Sequence, residues 1–217
     1  MSAGRRLVLV RHGRTAWNDS GRAQGHADVE LDQVGHAQAA AVAPVLASLR
    51  PGALWTSDLV RARQTCAYVE RATGLAAKID ERLREYDVGA RQGMDRAEFA
   101  EAFPAAYASW AAGDGIGDVP GAETARDVHE RMVPALREFV AALDPRETGI
   151  VVTHGACLKT ALCGLLGWPD ELGTTMAGLD NCAWVEVEEI EAGERLRLEG
   201  YNLRGPRPDF ASAEGVG

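Results

Sequence analysis

Three short runs of apolar and β-branched residues punctuate the chain: Leu7 to Val10, Ala53 to Thr56 and Gly149 to Val152. None alternates with period two, so a strand built from any of them has no solvent-facing side and must be covered on both faces. Between them the pattern turns helical. From Asp32 to Leu49 the residues Val34, Ala41, Val45 and Leu49 recur near one face, and Asp58 to Thr73 follows with Gly74 placed to stop it. Strand, helix, strand, helix predicts an α/β fold of three layers, α/β/α, with a largely parallel central sheet.

The second half reads as mostly helical from Asp95 to Leu143, broken by a Gly- and Asp-rich stretch at 113–121 that is expected to form a rim or lid. Pro134 falls inside the pattern from Glu123 to Leu143 and is expected to kink that helix or split it in two, because it lacks the N–H its position requires. Cys182 to Glu188 and Arg195 to Tyr201 read as paired strands joined by a polar turn at Gly193. The acidic stretch Glu186 to Glu191 is expected on a solvated strand edge and turn. A tail over 205–217, with Pro206 and Pro208, reads as loose. With 217 residues, 46% of them hydrophobic, and no internal repeat, the expectation is one domain over 1–217.

Charge narrows the partners. A formal net charge of -9 repels a polyanion over most of the surface, which excludes a nucleic acid or an anionic membrane as a non-specific partner. An anionic ligand must then be drawn to a local basic pocket. No apolar run approaches the roughly 18 to 20 residues that span a bilayer, and Leu7 to Val10 is too short for a signal-peptide core, so a cytoplasmic location is expected. A homodimer is left open. Cys66, Cys157, Cys163 and Cys182 form no CxxC pair and read as small buried filler. His26, His36 and His129 have no metal-ligand spacing, and of these His26 stands out by following Gln24-Gly25.

The chemistry lies at the strand ends. Val8-Leu9-Val10-Arg11-His12-Gly13 and Ile150-Val151-Val152-Thr153-His154-Gly155 share one design, a buried strand running straight into His-Gly. Ligands of open parallel sheets bind outside the carboxyl ends of the strands, so these two histidines can converge although they are far apart in sequence. Glycine after each histidine lets the backbone turn sharply and approach a ligand. A third strand end, Leu54-Trp55-Thr56-Ser57, leads into a helix whose first turn carries Arg61. Arg11 and Arg61 offer planar, permanently charged forks suited to phosphate oxygens, and helix N-termini add N–H donors for the same anion. Once arginines neutralise the non-bridging oxygens, a neutral imidazole nitrogen can attack phosphorus, and no metal or other cofactor is needed. Glu85, in Leu83-Arg84-Glu85 after the apolar segment Ala76 to Ile79, can give the departing oxygen its proton and later take one from water. On sequence alone the two histidines are nearly symmetric.

Five ordered motifs then coincide with one family. Arg11-His12-Gly13-Arg14-Thr15-Ala16-Trp17-Asn18 is followed by Gln24-Gly25, Asp28, Leu31, Gly35 and Gln38; next come Ser57 to Thr65, Leu83-Arg84-Glu85 with Gly89 and Gly93, Gly121-Ala122-Glu123-Thr124, and Thr153-His154-Gly155. In these features the chain resembles the histidine phosphatase superfamily, the phosphoglycerate mutase-like group, over nearly its whole length. The resemblance implies that His12 is the phosphorylated nucleophile, that Arg11, Arg61 and His154 bind the phosphoryl group, and that Glu85 is the proton donor. It further implies that Asn18 sits near the phosphate and that Gln24, Gly25 and Gly155 line the substrate site. Two positions depart from it. Ala90-Arg91-Gln92 stands where relatives often carry an aromatic, and Ala122 replaces a frequent glycine.

What this implies is a metal-independent phosphatase acting on a small phosphorylated metabolite, a sugar-acid or sugar phosphate. Gly178 to Trp184 and Leu198 to Asn202 resemble bacterial phosphatases that act on glucosyl-3-phosphoglycerate. A cofactor-dependent phosphoglycerate mutase is the main alternative, disfavoured because such mutases carry a longer basic insertion between the acid and the second histidine. An α-ribazole phosphate phosphatase shares the short architecture. A silent phosphate-binding regulator is disfavoured because His12, His154, Arg11, Arg61 and Glu85 are all present.

Overall fold

The structure is a computed structural model, and it describes residues 4–113, 115, 118–191 and 195–206. The tail beyond 206, the turn at Gly193 and part of the 113–121 stretch therefore lie outside the described residues. Six strands form one sheet in the order β3-β2-β4-β1-β5-β6. β1 (Arg6–Arg11), β2 (Ala53–Thr56), β3 (Lys78–Ile79) and β4 (Thr148–Thr153) run parallel, while β5 (Trp184–Glu191) pairs antiparallel with β1 and β6 (Arg195–Leu203) antiparallel with β5.

The unbroken apolar runs have the expected cause. Leu7 and Leu9 of β1 and Val151 of β4 pack against α6 (Ala125–Ala142) and α7 (Gly155–Leu166), while Val8, Val10, Ile150 and Val152 pack against α2 (Gln33–Ser48) and α3 (Val60–Thr73). Successive side chains point to opposite faces and both faces are roofed by helices, so the strand interiors are apolar on both sides. The three-layer α/β/α expectation holds. α1 (Ala16–Asp19) is a single capped turn after β1. α4 (Arg96–Ala102) and α5 (Pro104–Ala112) build a separate aromatic cluster of Phe99, Phe103, Tyr107 and Trp110, and α8 (Leu172–Thr175) follows α7.

Two expectations are corrected. Of the kink or split expected at Pro134, the split does not occur: α6 continues through Pro134, which is on the exposed side. Its buried neighbours Met132, Val133, Ala135 and Leu136 hold the helix down. The acidic stretch is not a solvated edge either. β5 is flanked by β1 and β6, and Glu186 and Glu189 are buried, paired with Arg6 at 2.6 Å and Arg5 at 3.1 Å. Antiparallel pairing with β1 brings those arginines alongside, which one-dimensional charge patterning does not reveal.

No helix among the described residues is long and apolar enough to cross a membrane. All four cysteines are free and buried.

Candidate active site

Register explains why two histidines remote in sequence meet. β1 and β4 are parallel neighbours with Arg11 opposite Thr153, and the His12 N–H donates to the Thr153 carbonyl at 3.0 Å. The next residue on each strand is therefore level with the other, and the rings of His12 and His154 lie 5.2 Å apart. Each following glycine is needed for close approach and not for a left-handed backbone, since neither has positive φ. A Cβ on Gly13 would stand 2.6 Å from the Gly35 carbonyl oxygen, and one on Gly155 would press on Arg11 Nε at 3.1 Å.

Hydrogen bonds break the symmetry between the two rings. His12 Nδ1 meets the Gly13 carbonyl at 2.7 Å, and a carbonyl only accepts, so the proton sits on Nδ1. That leaves the Nε2 lone pair without a partner among the described residues. His154 is committed at both nitrogens: Nδ1 accepts from Arg61 Nε at 3.2 Å, and Nε2 donates to Ser57 Oγ at 2.9 Å. Both rings are held neutral. Burial, then the charges of Arg61 and Arg11, keep His12 well below the usual imidazole range, and burial followed by Arg61, His12 and Arg11 does the same to His154.

Arg61 is fully buried, and its donors go to neutral acceptors, the carbonyls of Ala27 and Gly25 at 2.8 Å each and His154. Burial pushes its pKa down to about 10, which still leaves it cationic at neutral pH. Arg11 donates to the Leu179 carbonyl, and its Nε is buried without a partner. Burial lowers the Arg11 pKa while Glu85 and Asp180 oppose the shift. Neither guanidinium is ion-paired with a carboxylate among the described residues. A fully buried Arg61 beside a half-buried Arg11, both without a counter-charge, is costly unless an anion completes the site. Among the described residues no group of three or more His, Cys, Asp or Glu side chains is placed to hold a metal ion.

Glu85 follows a 3-10 turn, Glu81–Leu83, beyond the end of β3. Its carboxylate rests on the N-terminus of α7, accepting from Ala156 N at 3.0 Å and Cys157 N at 2.7 Å, and also from Tyr86 N at 3.0 Å. Two N-terminal N–H donors of α7, Ala156 and Cys157, are thus taken up by the acid. Asn18 serves the capping box of α1, its Oδ1 accepting from Thr15 N at 3.1 Å and from Asn181 Nδ2 at 3.2 Å. Gln24 is buried with Oε1 unpartnered, and the neighbouring Gly25 carbonyl ligates Arg61. Arg91 is placed over the rings of Phe99 at 4.3 Å and Trp110 at 4.5 Å, so it faces the aromatic cluster.

Several positioning groups were not singled out from sequence. Ser57 and Thr65 stand inside a quoted motif; Thr65 Oγ1 accepts from Gly13 N at 2.9 Å and donates to the Arg61 carbonyl at 2.8 Å. Asn181 Nδ2 donates to the His12 carbonyl at 3.1 Å. Arg131 of α6 donates to the carbonyls of Arg82, Arg84 and Glu85 at 2.8 Å each, braced by Glu123. Nothing local marked Arg131, because its partners are backbone atoms nearly fifty residues away.

A strand-end pair of histidines between two unpaired guanidinium groups, with a carboxylate on a helix N-terminus, defines a phosphoryl-transfer class of site, and comparison with known proteins identifies it. Residues 7–202 match the family model of the histidine phosphatase superfamily, branch 1. The chain is similar to a glucosyl-3-phosphoglycerate phosphatase of Mycolicibacterium vanbaalenii, 35% identical over 189 residues covering 84% of each chain. It is also similar to a metal-independent phosphoserine phosphatase of Arabidopsis thaliana, 38% identical over 156 residues, covering 70% of this chain and 65% of the relative. A solved mycobacterial glucosyl-3-phosphoglycerate phosphatase in complex with VO3 superposes with a TM-score of 0.82 at 33% identity, covering 92% of this chain and 99% of that one. The chain belongs to the histidine phosphatase superfamily. Within it, the protein is a phosphoric monoester hydrolase of the histidine type.

Proposed function

We propose that the protein hydrolyses a small phosphomonoester, a sugar-acid or sugar phosphate, through a phosphohistidine formed at Nε2 of His12 and without a metal. The observation that carries this reading is the free Nε2 of a neutral His12 beside the buried guanidinium of Arg61 and the half-buried one of Arg11, neither of which has a carboxylate partner among the described residues. Arg11 and Arg61 clamp the non-bridging oxygens and take up their charge, with His154 holding the Arg61 guanidinium in place. His12 Nε2 attacks phosphorus in line with the ester oxygen, the P–O bond breaks, and Glu85 gives its proton to the departing alkoxide. As the ring becomes cationic, the Nδ1–H bond to the Gly13 carbonyl disperses that charge. Water, deprotonated by Glu85, then attacks the phosphohistidine, releasing phosphate and restoring both groups.

The substrate class is supported by the relatives, whose names specify phosphorylated small molecules that carry a carboxylate. Asn18, Gln24, Gly25 and Gly155 line the substrate side in this reading. Action in the cytoplasm is supported by four unpaired, buried cysteines. The test is a phosphometabolite screen with wild type and His12→Ala, each with and without EDTA. Turnover that is lost in His12→Ala and indifferent to EDTA is expected; strong activity in the variant, or its loss with EDTA, would overturn the reading. Incubation with 3-phosphoglycerate and 2,3-bisphosphoglycerate separates hydrolase from mutase: free phosphate is expected, and fast 2-phosphoglycerate formation with little free phosphate contradicts hydrolysis.

A further inference from the structure

His26 has no place in the phosphoryl-transfer chemistry, yet it stands between the groups that perform it. Its neighbours in sequence, Gly25 and Ala27, supply the two carbonyls that hold the Arg61 guanidinium. Its own Nε2 donates to the Glu85 carbonyl at 2.8 Å, and Nδ1 lies 3.6 Å from an Asp87 carboxylate oxygen. On its far side the same Glu85 carbonyl receives Arg131, whose guanidinium is locked by Glu123; Glu123 in turn accepts from the Asp87 N–H at 2.8 Å. The Glu85 backbone is therefore gripped from two directions, and only the His26 grip is continuous with the strap that holds Arg61.

We infer that His26 is a positioning residue that sets the distance between the phosphoryl-binding Arg61 and the proton donor Glu85, acting through the 24–27 strap. This rests on the assignment of Glu85 as the acid. A hydrogen bond to the carbonyl fixes where the Cα–Cβ bond of Glu85 begins, and an error of a fraction of an ångström there is passed to the carboxyl that must meet the ester oxygen. Arg61 is also anchored by His154, so substrate binding should survive the loss of His26.

The signature is a dependence on the leaving group. An alkyl phosphate needs its departing oxygen protonated, whereas 2,4-dinitrophenyl phosphate releases a stable anion that needs no acid, and kcat/KM reports the steps up to phosphoenzyme formation. The experiment compares kcat/KM for β-glycerophosphate and 2,4-dinitrophenyl phosphate in wild type, His26→Leu, His26→Gln and Glu85→Gln, with circular dichroism and urea midpoints as folding checks. His26→Leu is expected to lose about tenfold or more on the alkyl ester and less than about threefold on the aryl ester, part of the 10²–10⁴-fold that an acid supplies. His26→Gln, which keeps a donor at the same reach, is expected to recover most of that loss.

Equal losses of His26→Leu on both esters, or none, overturn the inference while Glu85→Gln still discriminates between them. Failure of His26→Gln to restore the alkyl rate also counts against a donor role. If Glu85→Gln itself shows no leaving-group dependence, the assignment of the acid falls first. Should His26→Leu not fold, His26→Asn, which places its amide short of the Glu85 carbonyl, is read in the same way.

Discussion

Thr65→Val removes one hydroxyl from a site where shape barely changes. Thr65 is fully buried, and its Oγ1 is the partner of the Gly13 N–H. The Arg61 carbonyl loses the Thr65 hydroxyl but keeps its helical partner in α3, so the cost concentrates on the Gly13 amide. Leaving a buried N–H unsatisfied costs about 1–3 kcal/mol. A mid-range loss of about 2 kcal/mol corresponds to a fall in Tm of about 4–8 °C for a chain of this length. Gly13 also supplies the carbonyl that orients His12, so a local shift lowers kcat by about tenfold. Urea unfolding should show a lower midpoint with an unchanged m value. Thr65→Ser loses a methyl group, costs about 1 kcal/mol and keeps kcat, because the acceptor remains. A Thr65→Val protein with the wild-type midpoint and wild-type kcat would refute the reasoning, since the Gly13 amide would then not depend on that hydroxyl.

The two neutral histidines make stability depend on pH in one direction. Their pKa values lie well below 6.5 in the folded state, so the unfolded chain takes up protons first; stability is full above that value and falls as pH drops through it, by up to about 1.4 kcal/mol per pH unit for each ring. Urea midpoints between pH 7.5 and 5.5 check this, and a midpoint that rises on acidification contradicts it. The acid limb of kcat/KM should likewise lie below 6.5, because His12 stays unprotonated there. Gly13→Ala forces a Cβ to within 2.6 Å of a backbone oxygen, so it should abolish turnover and depress Tm; a fully active, stable variant would show that β1 and α2 can part without cost.

Much of the fold was legible because its strands are short and covered on both faces, which forces unbroken apolar runs. The helices roofing them carried their own stops, as Gly74 shows with its left-handed backbone at the end of α3. The histidines and arginines were legible because each stands within two residues of a strand end or a helix start. Tertiary facts were not. Glu186 and Glu189 look like surface charge until β1 lies beside β5, and Arg131 is an ordinary helix arginine until its carbonyl partners arrive. The near-identity of the two His-Gly segments could not be resolved from sequence either, since the difference is which ring nitrogen each neighbour engages.

That difference supplies the most direct measurement of the central claim. The enzyme is mixed with a ³²P-labelled phosphomonoester, quenched in alkali within milliseconds, digested, and the acid-labile, alkali-stable label mapped to a peptide. Label on the peptide containing His12, absent in His12→Ala, is the predicted result. Label on the peptide containing His154, or turnover with no trapped phosphohistidine when phosphoenzyme hydrolysis is slowed by Glu85→Gln, would contradict it.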